Sequence, residues 1–184
     1  CFELQGLYKE LLESIGFHVV QYSARFMDKP GIVQMRRHRV LVIQIGNRRY
    51  LTDVGIRSES PRMPIELVYD TLQSDGVCEY RFRQDAFYGW VLCQKEYGKS
   101  WKPLYGFTEE PQIDDDFIMP CFYCEKHPDS TFNKFMKISI FSGESDFTLV
   151  NGIFQEYRNA KVQYRKRLTS QSEISDILKI YFGL

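Results

Sequence analysis

The sequence lacks the features that mark membrane, nucleic-acid-binding and exported proteins. It contains no run of about 18 apolar residues, the length that a membrane-spanning helix needs, and its first residues lack the charged-then-apolar pattern of an export signal. It has no excess of either charge, since 24 basic residues balance 24 acidic ones. No long-range field therefore favours nucleic acid or an anionic membrane surface. We expect a cytoplasmic protein that binds neither.

Cysteine is too scarce, and odd in number, for a disulfide framework. Five cysteines in 184 residues fit a reducing compartment, and a chain of this length can bury a core without covalent staples. Cys78 and Cys93 lie in apolar, strand-like segments, where we expect small buried side chains. Cys121, Cys124 and His127 have the spacing of three zinc ligands, but a closed zinc site needs four. We predict no metal, and a zinc protein is an alternative that metal analysis and a chelator would test.

The pattern of apolar residues and turns predicts an α+β protein. Apolar residues at helical spacing after Cys1 predict a first helix, and short strands between turns predict an antiparallel barrel or sheet. Ser170 and Glu173 form a capping box that predicts a final helix. We therefore predict a single catalytic domain over residues 1–184 in three parts: a helix that bears the nucleophile (1–16), a barrel-like sheet (17–110) and an α/β part (111–184).

One hairpin in the predicted sheet carries a histidine and a carboxylate at the same end. The strand Val40–Ile45 and a return strand ending at Asp53 flank the Gly46-Asn47 turn, so strand pairing alone brings His38 and Asp53 close together. A cysteine attacks as its thiolate, which a helix N-terminus and a neighbouring imidazolium both stabilise, and Cys1 is placed for both. The three residue types match the nucleophile, base and orienting group of cysteine acyl transfer. Each is also common as an ordinary surface or capping residue, so the pattern alone leaves both interpretations open.

The segments around these three residues resemble the arylamine N-acetyltransferase family. Cys1-Phe2-Glu3-Leu4-Gln5-Gly6-Leu7 is similar to the segment around that family's active cysteine. His38 precedes an apolar strand as the family's active histidine does, and Tyr50-Leu51-Thr52-Asp53-Val54-Gly55 is similar to its Asp-Val-Gly motif. The spacing agrees, and the similarity continues to nearly the whole chain through Leu104-Tyr105-Gly106-Phe107, His127-Pro128-Asp129-Ser130 and Ile174-Ser175-Asp176-Ile177-Leu178.

The resemblance implies a papain-like cysteine transferase core and a two-step reaction. Cys1 would take an acetyl group from acetyl-CoA, the acyl-donor co-substrate, as a thioester, and an arylamine or hydrazine would then displace the sulfur. His38 would move the proton, and Asp53 would hold the imidazole in one tautomer. We therefore expect an acyl-CoA and a small amine as the partners.

Several residues depart from the family pattern near the predicted site. Arg37 replaces the threonine that commonly precedes the active histidine, Ile56 and Arg57 replace Phe-Gly after the Asp-Val-Gly motif, and Gln5 replaces an asparagine. We expect these changes to leave the three reactive residues untouched and to reshape the rim of the pocket. Arg37 and Arg57 are candidates to hold the phosphates of CoA through charge-assisted hydrogen bonds, or they belong to a solvated face that balances nearby acids.

The resemblance also implies a helical segment ahead of the active cysteine, whereas this chain begins at Cys1. Cleavage before Cys1, or a boundary set by numbering alone, would explain this start. Cleavage would make Cys1 an N-terminal nucleophile whose α-amine could act as base. That amine could also capture the acyl group from its own thioester. We therefore expect a helical segment that is joined to the working enzyme or bound to it as a separate piece.

Two further functions stay open. A hydrolase or amide synthase would use the same three residues and pass the acyl group to water or to an amine within a larger product. Turnover of an ester with and without an arylamine would separate these from a transferase. A catalytically silent binding module would keep the fold, and its Cys1 would react as an ordinary thiol whether or not His38 is present.

Overall fold

The computed structural model describes residues 1–56, 59–143, 145–159 and 161–184. The chain divides into two compact units, of which the first contains Cys1–Ile56 and Ser60–Tyr123 and the second contains Cys124–Leu184. That residues 1–184 fold as a single domain stays a prediction.

The first unit begins with helix α1, Phe2–Ser14, which confirms the helix that the apolar spacing predicts. Cys1 is its N-cap, and no side chain caps the first turn. The helix ends before Gly16, whose φ of 95° is accessible to glycine at little cost. Leu12 packs with Leu41 and Ile43, so α1 lies against the strand that carries His38.

The first unit also contains an eight-stranded antiparallel sheet. Its strands are β1 (Val19–Phe26), β2 (His38–Ile45), β3 (Arg48–Thr52), β4 (Ile65–Glu66), β5 (Gln73–Ser74), β6 (Cys78–Asp85), β7 (Gly89–Glu96) and β8 (Lys102–Gln112). The order across the sheet is β4-β3-β2-β1-β8-β7-β6-β5. The central pairing of β1 with both β2 and β8 joins the two halves of the sheet, which the sequence presents as separate hairpins.

A side chain joins the two end strands of this sheet. Gln73 in β5 donates from Nε2 to the carbonyl oxygen of Glu66 in β4 at 2.9 Å, and its Oε1 accepts from the Glu66 amide at 2.8 Å. Between them, Tyr69 forms an isolated bridge with Phe82. The sheet is therefore a nearly closed antiparallel barrel, which confirms the predicted α+β class and its barrel-like sheet. Fully buried aromatic and aliphatic side chains fill it, including Tyr80, Phe82, Leu92 and Tyr105.

Strand β8 and the helix that follows it differ from the sequence prediction. Strand β8 continues to Gln112, although its last residues are polar, because Gln112 pairs with Gln21 of β1 and the backbone finds its partners there. Helix α2, Ile118–Lys126, occupies an aromatic segment for which the sequence predicts no helix. Its apolar residues do not line one face, so helical periodicity is not visible in the sequence.

The second unit contains a four-stranded antiparallel sheet in the order β12-β11-β10-β9. Its strands are β9 (Lys137–Ser142), β10 (Ser145–Val150), β11 (Ile153–Arg158) and β12 (Lys161–Arg167). Asn151 and Gly152 have φ of 54° and 74°, as the predicted tight hairpin turn requires. Strand β12 is not predicted, because every residue in it is exposed and no sustained apolar alternation marks it.

A C-terminal helix packs within the second unit, as predicted. Helix α3, Gln171–Ile177, continues as a wider π-helical turn over Leu178–Phe182. Ser170 caps it by accepting from the Glu173 amide at 3.2 Å, but the Glu173 carboxylate accepts from the Thr169 amide instead of closing the reciprocal bond to Ser170. The core of this unit contains Leu149, Phe154, Leu168 and Phe182. In neither unit does a described helix have the length and apolar character needed to cross a membrane.

Candidate active site

His38 and Asp53 meet at one end of the β2–β3 hairpin. His38 is the first residue of β2, and Asp53 directly follows the last residue of β3. The imidazole Nε2 lies 2.8 Å from Asp53 Oδ2, and both side chains are fully buried. Burial removes competing water, so the interaction between the two groups is stronger than at a surface.

The other carboxylate oxygen of Asp53 accepts two hydrogen bonds. Gln5 Nε2 in α1 donates to Oδ1 at 2.6 Å, and the backbone amide of Gly55 donates to the same atom at 2.7 Å. With Asp53 accepting on both sides, the neutral imidazole of His38 carries its proton on Nε2. Nδ1 is then the free acceptor, and this buried nitrogen has no hydrogen-bond partner among the described residues.

Gly55 marks the point where the three predicted residues converge. A Cβ built on Gly55 would lie 2.8 Å from Cys1 Cβ, 3.1 Å from His38 Cε1 and 3.3 Å from Asp53 Oδ1. Cys1 Sγ also donates to the carbonyl oxygen of Arg37, the residue before His38, at 3.7 Å. The structure thus brings Cys1, His38 and Asp53 together, and only a residue without a side chain fits between them.

Two aromatic rings fix the plane of the imidazole. Phe26 stacks on His38 with ring centroids 4.9 Å apart and an angle of 29° between the planes. Tyr105 meets the same imidazole edge-on at 5.0 Å and 64°. Phe26 pairs with Tyr105 across β1 and β8, and Ala24 pairs with His38 across β1 and β2, so strand alternation places the three rings on one face.

Tyr105 adds a protonated hydroxyl to this buried group. Burial raises the pKa of Tyr105 well above its ordinary value, and the negative charge of Asp53 raises it further. The phenol therefore stays neutral at any pH near 7, and it faces the carboxylate that orients His38.

A polar cluster anchors α1 to the sheet. Arg39 in β2 donates to Asp114 Oδ1 at 2.6 Å, and Gln21 and Lys9 donate to the same carboxylate at 3.1 and 3.5 Å. Burial alone would raise the pKa of Asp114, but the Gln21 hydrogen bond and the Arg39 and Lys9 charges lower it. A Cβ on Gly6 would lie 3.2 Å from the Arg39 guanidinium, so the helix can lie close above it. Gln5 and Lys9 therefore hold the first half of α1 in place through hydrogen bonds to Asp53 and Asp114.

The two arginines predicted to hold CoA phosphates have different outcomes. Arg57 lies outside the described residues. Arg37 donates from Nη2 to Gln34 Oε1 at 2.7 Å, and its guanidinium lies 5.3 Å from the centroid of the Phe26 ring. Its contacts are therefore with the protein, and binding of CoA phosphates by either residue stays a prediction.

The remaining cysteines lie in β6, β7 and α2. Cys78 and Cys93 are buried and not disulfide-bonded, as predicted, and burial raises the pKa of Cys78 to about 11. Cys121 and Cys124 are partly exposed thiols on α2. Within the described ranges, no three histidine, cysteine or acidic side chains come together in an arrangement that could hold a metal ion.

Comparison with known families identifies the family to which the chain belongs. A family model described as N-acetyltransferase matches residues 1–184, the whole chain. The chain belongs to the arylamine N-acetyltransferase family. The curated relative from Escherichia coli K12, an arylamine N-acetyltransferase, is 27% identical over 186 residues, which cover 100% of this chain and 66% of the relative. This chain thus spans slightly less than two thirds of the length of that relative.

Solved structures of family members have the same fold. The arylamine N-acetyltransferase of Salmonella typhimurium is 26% identical and superposes with a TM-score of 0.93 over 100% of this chain and 67% of its own. A Mycobacterium marinum member, solved in complex with CoA, is 23% identical and superposes with a TM-score of 0.88 over 97% of this chain and 66% of its own. At that identity the second comparison supports the fold alone.

Within this family member, four residues of the site have no role in the sequence prediction. Gln5 lies one helical turn after Cys1, and that spacing alone indicates that the two side chains share a face. Gly55 is part of the recognised Asp-Val-Gly segment, but its steric role is visible only in the structure. Phe26 and Tyr105 come from strands far apart in the sequence. The sequence gives no signal that β8 pairs with β1, so neither ring could be assigned to the site.

Proposed function

We propose that this protein transfers an acetyl group from acetyl-CoA to an arylamine or hydrazine through a thioester on Cys1. The observation that carries the proposal is the convergence of Cys1 with the buried His38–Asp53 pair around Gly55. Family membership supports the same chemistry, because the curated relatives are arylamine N-acetyltransferases. The papain-like arrangement of cysteine, histidine and carboxylate belongs to this proposal.

In the first step, Cys1 acts as the nucleophile. His38 Nδ1 takes the thiol proton, and the thiolate forms a bond to the acetyl carbonyl carbon while the carbon–sulfur bond to CoA breaks. The resulting imidazolium lies against the Asp53 carboxylate at 2.8 Å, which stabilises the positive charge. The proton then passes from His38 to the departing CoA sulfur. The uncapped first turn of α1 adds a partial positive charge beside the thiolate.

In the second step, the amine replaces the sulfur. Its nitrogen bonds to the acetyl carbon of the Cys1 thioester, the carbon–sulfur bond breaks, and His38 removes the proton from the nitrogen and returns it to the cysteine. A thioester suits weakly basic amines, because its carbonyl is poorly conjugated with sulfur. Asp53 holds the imidazole orientation through both steps.

The predicted helical segment ahead of Cys1, joined or separate, stays a prediction of the family resemblance. One face of α1 is compatible with it. Four apolar side chains recur at helical spacing along this side, and each is more than half exposed: Leu4 (56%), Leu7 (71%), Leu11 (55%) and Ile15 (62%). An apolar face of this size is normally covered by another part of the same protein or by a partner.

Intact-mass analysis after incubation with acetyl-CoA tests the proposal. We expect a gain of one acetyl group that peptide mapping assigns to Cys1, and loss of that group when an arylamine is added. Asp53→Asn is the matched variant, since it keeps the shape of the side chain and removes its charge, and it should acetylate much more slowly. The partly exposed Cys121 thiol is an internal reference for ordinary reactivity.

The same experiment separates the alternatives. Loss of the acetyl group at the same rate without amine would indicate a hydrolase. Acetylation of Cys1 that is no faster than that of Cys121 would contradict the transferase and favour the catalytically silent module.

A further inference from the structure

We propose that Arg37 is a positioning residue that holds the His38 imidazole through the ring of Phe26. The inference rests on the proposed function, in which His38 is the base. It assigns to Arg37 a role other than the CoA-phosphate contact predicted from its charge.

The ring of Phe26 contacts both residues. The Arg37 guanidinium carbon lies 5.3 Å from the Phe26 centroid, and the His38 imidazole stacks on the same ring at 4.9 Å. A guanidinium is attracted to the electron-rich face of an aromatic ring and prefers to lie flat on it. Arg37 therefore limits the tilt of Phe26, and Phe26 in turn limits the tilt of His38.

The Arg37 side chain is itself fixed. Its Nη2 donates at 2.7 Å to Oε1 of Gln34, which is only 8% exposed. Gln34 is held in turn, since its side-chain Nε2 donates to the Asp28 carboxylate and its backbone carbonyl oxygen accepts from Arg25 at 2.7 Å. To reach a phosphate in solvent, a guanidinium with these partners would have to break a partly buried hydrogen bond and move off the Phe26 ring.

The backbone of Arg37 also contacts the nucleophile. Its amide donates to the Ala24 carbonyl oxygen at 3.1 Å, which extends the β1–β2 pairing by one residue, and its carbonyl oxygen accepts from Cys1 Sγ at 3.7 Å. Arg37 thus contacts the predicted nucleophile through its backbone and the predicted base through Phe26. Among the described residues, the other ionisable groups found next to the imidazole are Asp53 after β3, Cys1 at α1 and Tyr105 in β8.

Arg37→Met tests the proposal with two acyl donors and one alkylating reagent. Acetyl-CoA carries phosphates, whereas p-nitrophenyl acetate and iodoacetamide carry none. If Arg37 positions His38, the variant should lower all three rates at Cys1 by a similar factor, about twofold to fivefold, and leave the KM for acetyl-CoA nearly unchanged. A raised KM for acetyl-CoA, with unchanged alkylation and ester turnover, would overturn the proposal and favour a phosphate contact.

Neighbouring residues supply the controls. Arg36→Met removes the adjacent guanidinium, which pairs with Glu110 at 2.8 Å, and should leave all three rates unchanged. Phe26→Leu removes the intermediate ring, so adding Arg37→Met to it should have no further effect. Full additivity of the two changes would overturn the proposal. Arg37→Lys, which keeps the charge without the planar fork, should react at a rate between those of the wild type and Arg37→Met.

Thermal unfolding, and the reactivity of Cys1 with and without His38, distinguish failure of this inference from failure of the proposed function. Thermal unfolding confirms that each variant is folded, and Arg37→Lys and Phe26→Leu carry the test if Arg37→Met does not fold. If Cys1 of the unaltered protein reacts no faster than Cys1 in His38→Ala, the proposed function fails. If Cys1 is activated by His38 and the Arg37 variants match the wild type, only the role of Arg37 fails.

Discussion

Substituting Gly55 by alanine tests the convergence of the three reactive residues with a single methyl group. The added Cβ would lie 2.8 Å from Cys1 Cβ and 3.1 Å from His38 Cε1. Ordinary contacts between carbon atoms lie at about 3.5–4.0 Å, so each neighbour would have to move by several tenths of an ångström or more. Gly55 does not have a positive φ, so alanine suits its backbone and the effect is purely steric.

The expected loss of activity and stability depends on how far these neighbouring side chains can move. His38 is fully buried between Phe26 and Tyr105 and bonded to Asp53, so the methyl group is expected to displace Cys1. Inserting a methyl group into a packed core costs about 1–3 kcal/mol of unfolding free energy. Displacing a reactive group by about 1 Å can lower the rate of a positioned reaction by about a hundredfold. Gly55→Ala should therefore lose far more activity than stability.

The assay compares the alkylation rate of Cys1 and the ester turnover of Gly55→Ala with its urea unfolding. Gly6→Ala is the matched control, because its Cβ would meet only the guanidinium of Arg39 at 3.2 Å and lies away from His38. A folded Gly55→Ala with rates within about twofold of the wild type would refute the reasoning, since the three side chains could then not converge at Gly55.

Two further predictions address the support of Asp53 and the domain organisation. Gln5→Ala removes a 2.6 Å hydrogen bond to a buried carboxylate and should lower the free energy of unfolding by about 1.5–3 kcal/mol. It should also lower the alkylation rate of Cys1. An unchanged urea midpoint would show that this hydrogen bond does not contribute to stability. Phe82→Ala and Leu149→Ala each truncate a fully buried side chain and should each cost about 3–5 kcal/mol. If residues 1–184 are one cooperative domain, both variants shift the same single calorimetric transition, whereas two transitions that shift separately would refute the single-domain prediction.

The parts of the site that could be predicted are those that local pairing determines. His38 and Asp53 lie at the ends of two strands joined by a two-residue turn, so their proximity needs no knowledge of the rest of the fold. Helix α1 could be predicted from apolar spacing, and with it the position of Cys1 at an N-terminus. The contact between that helix and the hairpin could not, because it depends on packing of Leu12 against Leu41 and Ile43.

The parts that could not be predicted come from distant pairing and from elements without a periodic signal. Phe26 and Tyr105 reach His38 because β1 pairs with β8, and no turn between neighbouring strands encodes that pairing. In β12 only Val162 and Tyr164 alternate, and α2 has no apolar stripe, so neither has the sustained periodicity that sequence reasoning uses.

The departures from the family pattern gain a different meaning once their contacts are known. From the sequence, Gln5 and Arg37 are expected to change only the rim of the pocket. In the structure, Gln5 donates to the carboxylate that holds His38, and the Arg37 side chain packs on the ring that stacks on His38. A sequence reports the charge of an arginine or the length of an amide, but not which neighbours their hydrogen bonds and planar surfaces engage. These two side chains therefore contact the groups that hold His38. We expect a change at either residue to alter the reaction rate of Cys1 more than the choice of substrate.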